Sequence, residues 1–327
     1  MRRLATHLLV ALSLVVLGAN VAAAAMEEFE SPVNLGPVVN STAEDLFPFI
    51  STDGLRLLFR SDRDGGELDA YIATRSSPDD PFGAPVELGD KINAPGSPGL
   101  PFESRDGLKL YFQKNDQKTV ATRTAKSVPW DDPSVGLDTS PFSQIGGMSL
   151  SHISPDGSTL IGYQRNLGAP WGNDWELVVS SWSAVESEWD PIQVVDVDSK
   201  FGGNGSDIQP SFSPDGLTVF FGSQNRTGAP GQWDIWSLTR PDASTPWSDV
   251  GELSLRLARG INTADGLDLR PFFYNGALYF HTNHQWPGHL GERDIYRSLL
   301  VPEPCTFVLW AALGLIGLAC GARRRKR

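Results

Sequence analysis

Cysteine is all but absent from this chain. Its two copies, Cys305 and Cys320, lie within the last 23 of 327 residues. The body before them has no thiol, which excludes disulfide staples, thiolate zinc sites and a cysteine nucleophile there. Methionine is scarce, at 3 residues, and long apolar runs are confined to the two ends. Positive charge is also thin. Seven of the 27 basic residues sit at the termini, so in between 20 basic residues face 39 acidic ones, a net of −19. Such a surface repels phosphate backbones, and nucleic acid is not an expected partner. What is plentiful is glycine (33), proline (24), phenylalanine (16) and tryptophan (10). Turn formers and aromatics in these numbers point to an all-β fold rather than to helices or disorder.

One pattern recurs five times. An aromatic-rich strand leads into a Ser-x-Asp-Gly turn, an alternating apolar strand, a polar loop and an Asp-apolar-aromatic strand. The turn residue is Asp53, Asp106, Asp156, Asp215 and finally Asn275. Asp-Gly and Asn-Gly tolerate positive φ and close tight hairpins. Phe59, Phe112, Phe221 and Phe280 share one position of the second strand, with Gly162 in the third copy. Asp69, Glu176, Asp234 and Asp294 share one position of the third strand, which Arg75, Arg123 and Arg240 end. Phe82, Trp130, Trp189 and Trp247 open the fourth.

The Ser213-Pro214-Asp215-Gly216 motif and its copy Ser154-Pro155-Asp156-Gly157 resemble the TolB-like, WD-repeat-like β-propeller family. The resemblance covers residues 29–297 and implies one blade per repeat. The expected architecture is an all-β, five-bladed β-propeller over 26–300, with blades at 41–93, 94–142, 143–200, 201–262 and 263–300. The fifth repeat ends before its fourth strand. Residues 29–40 (FESPVNLGPVVN) match the first blade's outer segment 82–93 (FGAPVELGDKIN) at six positions in identical spacing. The N-terminal segment is therefore expected to complete the fifth blade. Pairing of the two chain ends would then close the ring and remove its open edge. Phe29, Val33 and Leu35 are expected to join the core.

The termini carry targeting features. Residues 1–25 have a basic start, an apolar stretch and a small-residue end, as in a secretory signal peptide. The chain ends in Pro302-Glu303-Pro304, a 17-residue apolar run and a basic cluster that includes Arg323, Arg324 and Arg325. The order of these parts over 301–327 resembles the PEP-CTERM sorting signal. It implies an exosortase-type processing protease as partner, membrane contact through the C-terminal helix before processing, and export to the envelope, outer surface or matrix of a Gram-negative bacterium.

Residues repeated once per blade are expected to be structural, since one active site does not need five copies. Glu44, Glu103, Asp265 and Asp268 are the carboxylates considered for glycosidase chemistry. His281, His284 and His289 are the metal candidates, read as solvated loop residues. The long loops gather at one end of the ring. They bring together Trp171, Asn173, Asn225, Arg226, Trp286 and Arg63, a flat apolar surface with hydrogen-bond donors, suited to sugar or peptide. The expected function is non-catalytic binding or scaffolding of an extracellular polysaccharide or protein, with no catalytic residue, metal or cofactor. The alternatives are an extracellular polysaccharide-active hydrolase or lyase, and a periplasmic peptide-binding module of TolB type.

Overall fold

A computed structural model describes residues 28–93, 98–114, 117–131, 134–135, 148–165, 174–186, 188–195, 197, 205–250 and 255–302. The expected signal peptide, and the expected sorting signal from residue 303 onward, lie outside them. Among the described residues no helix is long and apolar enough to cross a membrane.

Five small antiparallel sheets form a ring. The chain opens with β1 (Val33–Asn34), which belongs to the last blade. The first blade is β2 (Asp45–Ile50), β3 (Arg56–Ser61), β4 (Asp69–Thr74) and β5 (Val86–Glu87). The second is β6 (Gly99–Glu103), β7 (Lys109–Lys114), β8 (Gln117–Thr122) and β9 (Ser134–Val135). The third is β10 (Ser149–Ile153), β11 (Thr159–Arg165) and β12 (Trp175–Ser183), with β13 (Glu188–Trp189) and β14 (Gln193–Val195) on its outer edge. The fourth is β15 (Asp207–Phe212), β16 (Thr218–Gln224), β17 (Trp233–Thr239) and β18 (Leu255–Leu257). The fifth is β19 (Leu269–Tyr274), β20 (Ala277–Thr282) and β21 (Asp294–Leu299), completed by β1.

Closure follows the sequence match residue by residue. Val33 lies opposite Arg297 and Asn34 opposite Tyr296. Val86 and Glu87 pair with Ile72 and Tyr71 at the equivalent positions of the first blade. Asn40 bonds both the N–H and the carbonyl of Ile295, each at 2.9 Å. Asn93 does the same to Ala70, and Asn262 to Ile235. Phe29 is buried against Phe220, between the fourth and fifth blades, and Leu35 is half-buried. Val33, expected in the core, is 66% exposed, and its counterpart Val86 is 65% exposed. The outer strand is the rim of the ring, and among the described residues no neighbouring strand covers that face.

The repeated polar residues hold the blades together. In the first four repeats the serine hydroxyl donates to the turn aspartate, at 2.5–2.7 Å. The same hydroxyl accepts the amide of the residue five positions on. The Ser104 hydroxyl thereby holds the Asp106 carboxyl below its ordinary range. Arg75, Arg123 and Arg240 cap the turn carbonyls of Gly54, Gly107 and Gly216. Each guanidinium also lies over the ring that opens the fourth strand: Phe82 at 4.3 Å, Trp130 at 4.0 Å and Trp247 at 4.7 Å. The third blade replaces this arginine with Trp182, edge-on to Trp189. Phe59, Phe112, Phe221 and Phe280 are buried between sheets. Where the third blade has Gly162, a Cβ would meet the Ser149 carbonyl oxygen at 2.2 Å and Met148 carbons at 2.9 Å, so the neighbouring strand and that methionine occupy the place of a side chain.

Candidate functional site

The second-to-third strand loops and the segments entering each innermost strand share one end of the ring. Two of the predicted ligand residues are bound up in the frame there. Arg63 pairs with Asp45 at 2.5 Å and lies over the Phe59 and Tyr71 rings. Arg226 pairs with Asp207 at 2.6 Å and bonds the Ser223 hydroxyl. Asp45 and Asp207 both begin innermost strands, so these pairs tie a loop to the channel wall. Asn225 is exposed, with a left-handed φ of 58°. Trp286 is half-buried, edge-on to His284, and packs against the cluster of the fourth and fifth blades. Trp171 and Asn173 lie outside the described residues.

The carboxylates considered for catalysis each have their own partners. Glu103, at the opposite end of the ring, is buried between Arg56 and Arg123, both at 2.8 Å. Glu44 pairs with Arg293, and Asp265 with His284. Asp268 accepts from Thr263, and burial pushes its carboxyl up to about 6. Burial likewise raises Asp234 to about 6. The three histidines also separate: His284 meets Asp265, His289 meets the Tyr296 hydroxyl, and His281 is buried beside Phe47. Among the described residues no group of three or more potential ligands could hold a metal.

The channel itself has two tiers. Every innermost strand carries a register shift: between Leu46 and Phe49, Gly99 and Phe102, Leu150 and His152, Ile208 and Ser211, and Leu269 and Phe272. A bulge of this kind re-aims side chains. Below it, Phe49, Phe102, His152 and Phe272 meet ring to ring across the axis, with centroids 4.7–6.2 Å apart. These four rings form an aromatic plug at this level. His152 accepts the Phe212 amide at 3.0 Å, and burial together with the Arg270 charge pushes its imidazole down to about 3. It is a neutral ring among phenyls.

Above the plug the residues change identity from blade to blade. At the bulge stand Phe47, Gln209 and Arg270, with φ of 58°, 55° and 55°. These are left-handed values that non-glycine residues adopt rarely, and often at functional sites. Behind them, Arg60, Gln113, Tyr163, Gly222 and His281 hold one position of the second strand, opposite Leu46, Gly99, Ser149, Ile208 and Leu269. A Cβ on Gly222 would come within 2.6 Å of Leu269, so that place is taken by the next blade. Arg60 and Arg270 flank the Phe47 ring at 5.3 and 5.7 Å, and burial pulls both down to about 10. Tyr163, raised by burial, feels both charges from across the channel. Sequence reasoning missed this tier because it followed what repeats. The usable signal was the reverse: equivalent positions whose chemistry differs in every copy.

No protein-family model matches the chain, and no curated protein matches it. Solved structures do. It is similar to the α-L-arabinofuranosidase PaAbf62A of Podospora anserina in complex with cellotriose, at 13% identity and a TM-score of 0.51, covering 85% of this chain and 97% of that one. It is similar to the endo-arabinase of Bacteroides thetaiotaomicron, at 11% identity and a TM-score of 0.50, covering 84% and 98%. TolB of Acinetobacter baumannii aligns at 10% identity and a TM-score of 0.41, over 81% of this chain but only 56% of that one. At these identities the first two show a shared fold, and this chain's own five sheets make it a five-bladed β-propeller.

Proposed function

We propose that this protein is an exported, envelope-associated propeller that binds an extracellular glycan without cleaving it, at the loop-bearing end of the ring. One observation supports the reading. The bulge and second-strand positions of the upper channel tier named above, Phe47, Arg60, Gln113, Tyr163, Gln209, Arg270 and His281, include no carboxylate. Glycoside hydrolysis needs two carboxylates across one bond, about 5–10 Å apart. Here Glu44, Glu103 and Asp265 are engaged with separate basic partners, and Asp268 with Thr263. The test pairs binding with turnover: affinity electrophoresis on arabinan, xylan and envelope polysaccharide, with reducing-end assays on the same samples. Retardation without new reducing ends is expected. New reducing ends would favour the hydrolase, and retention of envelope peptides alone would favour a TolB-type partner module.

The proposed route to the envelope rests on the sequence of 301–327. Processing would require Glu303, and anchoring would require the apolar run with Arg323, Arg324 and Arg325 to set its depth. Fractionation followed by intact mass is the check. A mature outer-envelope protein still ending at Arg327 would replace the sorting signal with a permanent anchor.

A further inference from the structure

Most buried guanidinium groups of this ring meet carboxylates: Arg56 and Arg123 meet Glu103, and Arg226 meets Asp207. Arg270 does not. It is 6% exposed, its one hydrogen bond is to the Ser151 hydroxyl at 3.5 Å, and no carboxylate pairs with it among the described residues. A second guanidinium, Arg60, faces the same Phe47 ring. Burying a cation without a counter-charge is unfavourable, and a like charge nearby makes it worse.

A second observation comes from the neighbouring blade. Gln209 occupies the same bulge position, is 8% exposed, and its amide oxygen has no hydrogen-bond partner. Two buried polar groups with unmet needs thus stand on the left-handed bulges of adjacent blades, and Arg270 lies over the Phe47 ring. Their needs differ in kind. Arg270 lacks an anion, and its planar fork matches a carboxylate. Gln209 lacks a donor, which a hydroxyl supplies and a carboxylate does not. Phe47, half-buried and within reach of both guanidinium groups, adds an apolar contact for a sugar ring.

We propose that the upper end of the channel is a receptor for one hydroxylated carboxylate, the acid group of a uronic-acid sugar, held by Arg270 with Arg60, with Gln209 accepting from a ring hydroxyl. This deepens the glycan-binding reading and rests on it for the origin of the sugar. The chain's net charge of −12 weighs against a polyanion more than against a single acidic residue.

The experiment is thermal unfolding of the full chain in sodium glucuronate, glucose or sodium acetate at matched ionic strength. Glucuronate is expected to raise the midpoint saturably, by about 4 °C or more. Acetate should raise it less, and glucose not at all. Arg270→Met should lose the glucuronate response, and Gln209→Leu should lose the preference for glucuronate over acetate. An oligosaccharide ending in glucuronate should act at lower concentration than the free acid, which separates a glycan from a small metabolite. Equal midpoints in glucuronate and glucose for the unaltered protein would overturn the receptor, whether or not the variants fold. So would a response that persists in Arg270→Met. Neutral glycan binding that survives such a failure would leave the binding module standing. Glucuronide cleavage would instead sink the non-catalytic reading while leaving the receptor intact.

Discussion

Asn40 holds Ile295 by both backbone groups across 255 residues of sequence. This amide clamp locks the N-terminal segment onto the last blade, and Asn93 and Asn262 make the same clamp within their own blades. Asn40→Ala should therefore cost about 1–3 kcal/mol, because the Ile295 N–H is left buried without a partner, while its carbonyl keeps the Leu35 amide at 3.1 Å. Urea unfolding measures the loss, and amide exchange should accelerate first at Ile295. An unchanged midpoint would mean the clamp is incidental to closure.

Arg226 is read as a structural residue. Removing it leaves the fully buried Asp207 uncompensated, so Arg226→Met should cost about 3–5 kcal/mol. Asp207→Asn added to it should recover much of that loss. A stable single variant that had lost glycan binding would return Arg226 to the ligand face.

Half-buried His152 and buried His281, Asp234 and Asp268 pull the acid behaviour in opposing directions. His152 sits near 3 in the folded chain and near 6.5 unfolded, and burial also holds His281 far below its ordinary value. The unfolded chain binds those protons first, so their stability is present above pH 6.5 and lost as pH falls, by about 1.4 kcal/mol per unit for each. Asp268 and Asp234 sit near 6 when folded, so the folded chain binds their protons first. Their stability is present below about pH 4 and lost as pH rises through 6.

His152→Phe should tilt this balance. It costs about 1–3 kcal/mol at pH 7.5, where the Phe212 amide loses its acceptor. Its stability should then gain on the unaltered protein toward pH 4. Asp268→Asn should do the opposite and steepen the acid loss. Unfolding free energies at pH 4.5, 6 and 7.5 decide the matter, and parallel curves for all three proteins would refute it.

The ring and its closure were legible because both are written as repeats. The outer-segment match between 29–40 and 82–93 carried the register of β1 with it, since equivalent residues meet equivalent partners. The Ser-x-Asp-Gly turns and the arginine–aromatic pairs were legible for the same reason. Val33 was misplaced because alternation says which face a residue takes, not whether anything covers that face. Arg63 and Arg226 looked like ligand residues because loop position was visible in the sequence, whereas the buried aspartates 18 and 19 residues away that claim them were not. The channel tier was hidden by the bulges, which shift period 2 by an amount no single strand reveals.

The lack of cysteine before residue 305 supplies the most direct test of the closed ring. Val33 and Arg297 are exposed and directly opposed in β1 and β21. Opposed strand residues have Cα atoms about 4.5–5.5 Å apart, within the span of a disulfide. With Cys305 and Cys320 changed to serine, Val33→Cys with Arg297→Cys should form an intramolecular disulfide on mild oxidation of the folded protein, and its unfolding midpoint should rise. If the two thiols remain free in folded, oxidised protein, or link only between molecules, the chain ends do not pair and the ring is not closed as described.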